Sequence, residues 1–183
     1  MLRRSAMNIL LILDKDAKTE ISEDLRAKII RALAEKGHQV EVIELRQNDA
    51  LPCLGCFSYC LIEHPEECVH KDRVNEVKKT VKNYNATFFL TPVLFGHFGS
   101  TVKNAMDRGT GSHNWQVIIG YGSDIDEEEK NTFIDLIIKH GGSADIVHPG
   151  MVRQVDVFVT MSSSDNTAIC EVIKKMSLML EAA

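Results

Sequence analysis

Five times along these 183 residues a short apolar run is followed by a segment whose apolar residues recur at helical spacing, and that alternation confines the chain to one kind of architecture. Asn8 to Leu13 is a continuous β-compatible run. Ser22 to Lys36 then places Leu25, Ile29, Ile30 and Leu33 on one helical face, closed by Gly37 as a stop. Gln39 to Leu45 predicts a second strand, and Asp72 to Asn83, with Val74, Val77 and Val81, a second helix. Ala86 to Leu90, Trp115 to Tyr121 and Val155 to Thr160 read as three more strands, with Ser143 to Val147 a weaker competitor for the last. Between and after them, Ser100 to Arg108, Asp126 to His140 and Asn166 to Leu180 read as helices, the middle one ended by Gly141 and Gly142. Phe133, Leu136 and Ile137 form its inner face, and Ile169, Ile173, Met176 and Leu180 that of the last helix.

Short apolar strands linked by amphipathic helices imply a parallel sheet buried on both faces, because each crossover helix must cover it. The expectation is an α/β fold in three layers around a five-stranded parallel sheet. No repeat or linker divides the chain, so residues 1–183 are expected to be one domain, with 1–7 a loose N-terminal extension. In such sheets ligands sit at the carboxyl ends of the strands. The loops to inspect are therefore 14–22, 46–71, 91–99 and 121–125.

Charge and hydropathy narrow the partners. Net charge is −5, and basic residues are interspersed with acidic ones, which argues against a nucleic-acid surface. Two arginines precede the apolar run Ile9 to Leu13, but Asp14, Lys15 and Asp16 follow it instead of a cleavage site, so the run reads as a buried strand and not a signal peptide. No apolar stretch reaches the roughly 20 residues that span a bilayer. A cytoplasmic location is expected, where thiols stay reduced and a disulfide framework is disfavoured.

That matters for the loop after the second strand, where Cys53, Cys56, Cys60 and Cys68 fall close together around Gly55. Four thiolates on a compact loop suit a soft-ligand metal site, either zinc or an iron–sulfur cluster. Free thiols, with a reversible disulfide between some of them, are the competing reading. Cys170 on the last helix is expected in the core.

The segment TPVLFGHFGSTVKNAMDR, residues 91–108, resembles the stretch TPVYFGxxSxxLKxxxDR after the third strand of flavodoxin-like NAD(P)H-dependent FMN reductases. CLGCFSYCLIEHPEECVHKD, residues 53–72, resembles the cysteine-bearing segment of the same superfamily and of its iron–sulfur flavoprotein branch. The resemblance implies strand order 2-1-3-4-5, bound FMN, NAD(P)H as electron donor, and a homo-oligomer. It also implies that Thr91, Pro92, Val93, Leu94, Phe95 and Gly96 line the flavin, with Pro92 stiffening the strand exit, Leu94 and Phe95 as apolar wall, and Gly96 permitting close backbone approach. Tyr121, Gly122 and Ser123 match the glycine-containing loop that approaches the flavin in relatives. His97 would lie near the ring, but hydride transfer depends mainly on orientation, so no catalytic acid or base is assigned. Lys103, Asp107 and Arg108 are expected to hold the helix and a neighbouring subunit.

Relatives follow their first strand with a loop of the form GSxRxxxNT that holds the FMN phosphate. Here the loop reads DKDAKTEIS. Lys15, Lys18, Thr19 and Ser22 are its candidate phosphate ligands, although Thr19 and Ser22 equally read as a helix cap. The cysteine spacing carries one residue more between Cys56 and Cys60 than the CxxCxxC of iron–sulfur flavoproteins. Three functions follow. The first is an FMN-dependent NAD(P)H oxidoreductase serving a quinone, flavin or other small acceptor. The second is an iron–sulfur flavoprotein whose [4Fe-4S] cluster exchanges electrons with a ferredoxin-like carrier. The third is a non-enzymatic descendant that has lost phosphate binding.

Overall fold

The computed structural model describes residues 6–56, 58–64, 67–110, 115–147, 155–160 and 167–182. Its strands are β1 (Asn8–Asp14), β2 (Gln39–Leu45), β3 (Ala86–Leu94), β4 (His97–Phe98), β5 (Trp115–Tyr121) and β6 (Val155–Thr160). Its α-helices are α1 (Glu20–Glu35), α2 (Arg73–Thr80), α3 (Ser100–Asp107), α4 (Glu127–Val147) and α5 (Thr167–Ala182). The parallel sheet runs β2-β1-β3-β5-β6, and β4 pairs antiparallel with β3 off that path. Leaving the short β4 aside, this is the expected order 2-1-3-4-5 with β5 and β6 as its fourth and fifth strands.

Side chains alternate across a strand, so each strand feeds two cores. On one face Ile9, Leu11, Phe88, Leu90, Val117 and Ile119 pack against Leu25, Ile29 and Leu33 of α1 and Ile169 and Val172 of α5. On the other, Leu10, Ile12, Phe89 and Ile118 meet Val74 and Val77 of α2, Val102 and Ala105 of α3, and Phe133 and Ile137 of α4. Helices thus cover both faces, giving the flavodoxin-like α/β/α sandwich. Met7 is also buried, donating its N–H to His38 Nδ1 at 3.2 Å and accepting from Gln39 N at 2.9 Å.

Four details differ from the sequence expectations. β3 does not stop at Leu90 but continues to Leu94 and turns back into β4, so Thr91 to Leu94 are strand and not loop. Helix α4 runs through Gly141 and Gly142 to Val147, taking in the segment 143–147 that competed for the last strand. Glycine lowers helix stability by about 1 kcal/mol but stops a helix only where the chain actually turns into the left-handed region. The 72–83 helix is α-helical only to Thr80, Asp72 being its N-cap and Val81–Asn83 a 3-10 turn. Cys170 is exposed, because Ile169 and Val172 take the inward face of α5 and leave it on the outer one. The side chains of Met176 and Leu180 lie outside the described residues.

Candidate functional site

The carboxyl edge of the sheet is uneven. Leu13 on β1 is level with Leu90 on β3, yet β3 continues to Leu94 before it turns. At about 3.3 Å per residue, β3 overhangs the end of β1 by roughly 10 Å. Leu94 pairs with His97 across a two-residue turn in which Phe95 has φ 51° and Gly96 φ 72°. Two positive φ values define the turn type whose twist matches a hairpin. Glycine takes that conformation freely, but for phenylalanine it is a rare outlier. The turn leaves Phe95 88% exposed and Leu94 51% exposed at the tip.

The base of the hairpin is packed and hydrogen-bonded. Thr91 is fully buried, its Oγ1 accepting from Gly99 N at 2.9 Å. A Cβ on Gly96 would stand 2.8 Å from the Thr132 side chain, so the close approach that Gly96 permits is to α4. Phe98 packs on Phe133 of α4, with ring centroids 5.2 Å apart. Replacing Thr91 with valine is expected to leave the Gly99 N–H unpaired and cost about 1–3 kcal/mol, read as a lower urea midpoint with an unchanged slope.

The loop after β1 is closed on itself. Asp14, 8% exposed, accepts at Oδ1 from Asp16 N at 2.8 Å and Ala17 N at 3.3 Å. Lys15 N donates to Leu45 O at 2.7 Å. Thr19 and Ser22 form a reciprocal capping box at the start of α1, Thr19 N donating to Ser22 Oγ at 2.9 Å and Ser22 N to Thr19 Oγ1 at 3.2 Å. The cations turn toward Glu44 on β2, which receives Lys15 at 3.4 Å, Lys18 at 3.2 Å and Arg26 at 2.8 Å. Hydrogen bonds donated to Glu44 and Glu23 hold the Lys18 ammonium above its usual range.

At the end of β5, Tyr121 is 2% exposed and its hydroxyl donates to Ala17 O at 2.8 Å, joining this edge to the loop after β1. Burial pushes its phenol up to about 12, with Asp14 and Glu23 adding to the rise against an opposing hydrogen bond from Ser22. Gly122 N donates to Thr160 O, and a Cβ on Gly122 would meet Ile125 at 2.9 Å. Ser123 Oγ donates to Asp124. A groove of about 200 Å³ lined by His97, Phe98, Lys103, Met106, Asp107 and Leu136 flanks the hairpin on its α3–α4 side.

The cysteine loop is tied down by a pair that the sequence did not reveal. Arg108, at the end of α3, makes a bidentate ion pair with Asp72, the N-cap of α2, with its second nitrogen 2.6 Å from Asp72 Oδ1. Both side chains are buried, at 1% and 8% exposure. Leu51 closes the arrangement, its N–H donating to Asp72 and its carbonyl accepting from Arg108. Arg108 is thus committed within its own chain, contrary to the expected subunit contact, while Lys103 pairs with Asp107 on the same helix.

Cys68 is buried beside the Arg108 guanidinium, and its N–H donates to Asn75 Oδ1 at 2.7 Å. Cys53 is exposed, while Cys56 and Cys60 are half-buried and share a hydrogen bond. Burial pushes the Cys60 thiol up, the neighbouring Cys56 and Cys53 adding to the rise against the opposing charge of Lys78. Among the described residues no three His, Cys, Asp or Glu side chains converge as metal ligands, so the thiols as placed do not form a cluster site. The flavin divides differently. Its apolar ring would find an exposed apolar surface at Leu94 and Phe95, whereas its phosphate would meet a loop in which Asp14 already takes two N–H groups and Glu44 three cations.

The sheet order, with helices on both faces, defines a flavodoxin-like fold. The profile of the NADPH-dependent FMN reductases matches residues 7–123, more than half of the chain, and the chain belongs to that family. An iron–sulfur flavoprotein of Methanocaldococcus jannaschii is 34% identical over 79 residues, 43% of this chain and 39% of the relative. The chain spans less than half the length of the curated relatives it matches. Among solved structures, the NAD(P)H:quinone oxidoreductase of Methanothermobacter marburgensis is similar with a TM-score of 0.60 at 17% identity, covering 93% of this chain and 94% of that one. An FMN-dependent NADH-azoreductase of Bacillus anthracis gives a TM-score of 0.59 at 13% identity, covering 94% of this chain and 99% of that one. Among the described residues no helix is long and apolar enough to cross a membrane.

Proposed function

We propose that this chain is a flavin-dependent NAD(P)H oxidoreductase that works as one cytoplasmic domain and passes electrons to a quinone, a flavin or another small acceptor. The observation that carries the reading is the apolar hairpin tip, Leu94 and Phe95, held out beyond the sheet at the edge where ligands of this fold class gather. A bulky residue kept at positive φ and in solvent does nothing for folding, which points to a role in contact with a ligand. Family membership supports the same chemistry.

When bound, the flavin ring supplies a two-electron relay: the hydride leaving NAD(P)H, joined by a proton from water, is held there until an acceptor takes it. The chain's part is positioning. Leu94 and Phe95 offer the flat apolar wall, Thr91 to Val93 fix its height above the sheet, and Tyr121 to Ser123 border the ring from β5. The described residues call for no side-chain acid or base.

A direct assay is NAD(P)H consumption by purified protein with a quinone acceptor, with and without added flavin. Protein-dependent consumption that requires flavin is expected; none with any flavin would remove the proposal. Phe95→Gly separates the two possible reasons for the residue. Stability is expected to rise by about 1 kcal/mol as the left-handed conformation is relieved, while flavin affinity falls by roughly tenfold with loss of a stacking surface. Unchanged flavin affinity would remove Phe95 from the site.

A second reading, a one-electron iron–sulfur flavoprotein working with a ferredoxin-like carrier, draws on the names of the four curated relatives, all iron–sulfur flavoproteins. A cluster on Cys53, Cys56, Cys60 and Cys68 would require Cys68 to leave Arg108. Iron and sulfide analysis of anaerobically purified protein decides it, with four irons per chain as the result that favours the cluster.

A further inference from the structure

We propose that this chain recognises its flavin by the ring and leaves the phosphate unread, so that riboflavin and FMN are equivalent substrates. The proposal rests on the flavin reading above and names the substrate class of that same site.

The loop after β1 is where a fold of this kind would grip a phosphate, with backbone N–H groups at a helix N-terminus. Here that place already holds an anion, the chain's own Asp14. Its carboxylate takes the N–H groups of Asp16 and Ala17. Three further donors are engaged: Lys15 N to Leu45 O, Thr19 N to Ser22 Oγ, and Ser22 N to Thr19 Oγ1. Asp16 is drawn the other way, accepting from Gln47 N at 3.0 Å. From inside, the Tyr121 hydroxyl closes on Ala17 O.

Electrostatics point in the same direction. Asp14, Asp16, Glu20, Glu23 and Glu44 surround the loop against Lys15, Lys18 and Arg26, leaving it net negative. All three cations lie on Glu44. To use these groups, a phosphate dianion would have to displace Asp14 from the N–H groups of Asp16 and Ala17 and Glu44 from the three cations. A tethered carboxylate makes those contacts without the entropy cost of association, so an incoming ligand gains little by replacing it. The ring meets no such competitor at Leu94 and Phe95, which are exposed.

The test is equilibrium binding of riboflavin and of FMN to flavin-free protein, followed by flavin fluorescence at low and high salt. Dissociation constants within about threefold of each other, and equally insensitive to salt, are expected. A loop that reads the phosphate through two charge-assisted hydrogen bonds would favour FMN by about a hundredfold and lose that preference in salt. A preference for FMN above about tenfold would overturn the proposal while leaving the flavin reading intact; binding of neither flavin would overturn both. Glu44→Gln, a change on the half-buried rim, removes the carboxylate that Lys15, Lys18 and Arg26 share, leaving Lys18 and Arg26 only Glu23, and is expected to tighten FMN about tenfold with riboflavin unchanged. Asp14→Asn keeps the acceptor and the turn while removing the charge, and is expected to act in the same direction. Weaker FMN binding in both variants would also overturn the proposal.

Discussion

Replacing Asp72 with alanine is expected to destabilise the protein by about 3–5 kcal/mol, the usual cost of leaving a buried charge without its partner. Arg108 is 1% exposed, and its Nε has no hydrogen-bond partner among the described residues, so the guanidinium has no solvent to turn to once the carboxylate is gone. The loss is larger than that of a surface pair because Asp72 does three things together. It caps α2 through Asn75 N, pairs with Arg108, and accepts from Leu51 N at the start of the cysteine loop. The measurement is the urea midpoint at constant slope. Replacing both partners by apolar residues, Asp72→Leu with Arg108→Met, should cost less than either single change, since no orphan charge remains.

Acid titration tests the same pair independently. Burial pushes the Asp72 carboxyl up, but the Arg108 guanidinium and the N–H groups of Leu51 and Asn75 together hold it below the usual carboxylate range. A folded value lower than the unfolded one, about 3.9, means a contribution fully present above that pH and lost as pH falls through the folded value. The wild type should therefore lose more stability than Asp72→Asn between about pH 4 and the folded value.

Phe133→Ala is the second large effect, about 3–5 kcal/mol for an aromatic side chain removed from a filled core. Phe133 is fully buried on α4, and two parts of the site lean on it. It packs against Phe98 at the return of the hairpin and fills the space beside Gly120, where a Cβ would come within 2.8 Å of its ring. Its loss should loosen the hairpin base as well as the core, seen as faster amide exchange in residues 91–98 than in β1 and β2. Gly120→Ala makes the converse test. Overpacking against Val93 at 2.7 Å and Phe133 should cost about 1–3 kcal/mol.

Much of the fold was legible because periodicity reports burial. β2, β5 and β6 begin and end where the apolar runs do, and the inward residues of α1 and α2 are those at helical spacing. The hairpin was not legible. Leu94-Phe95-Gly96-His97 lacks the Asn-Gly or Asp-Gly pair that marks such turns, and phenylalanine at positive φ is too rare to expect. A trace was present in Val93 and Leu94 before Phe-Gly and Phe98 after it, apolar residues on each side of a glycine turn. The Asp72–Arg108 pair joins residues 36 apart, and only folding brings them together. Both residues nevertheless end the motifs that carry the resemblance, Asp72 the cysteine segment and Arg108 the 91–108 segment, which was the available clue. The acidic loop after β1 showed in the sequence as charge. That Asp14 turns inward to its own backbone was foreshadowed by the tendency of aspartate to bond N–H groups two residues on.

The proposed activity requires the overhanging hairpin to hold a flavin in reach of NAD(P)H. Anaerobic rapid mixing of flavin-loaded protein with NADPH tests this most directly, by following the bleaching of the yellow flavin absorbance in wild type and Phe95→Gly. Fast, saturable bleaching is expected in the wild type, with a protein-bound flavin population roughly tenfold harder to saturate in the variant. Bleaching no faster than that of free flavin, or identical in both proteins, would contradict it.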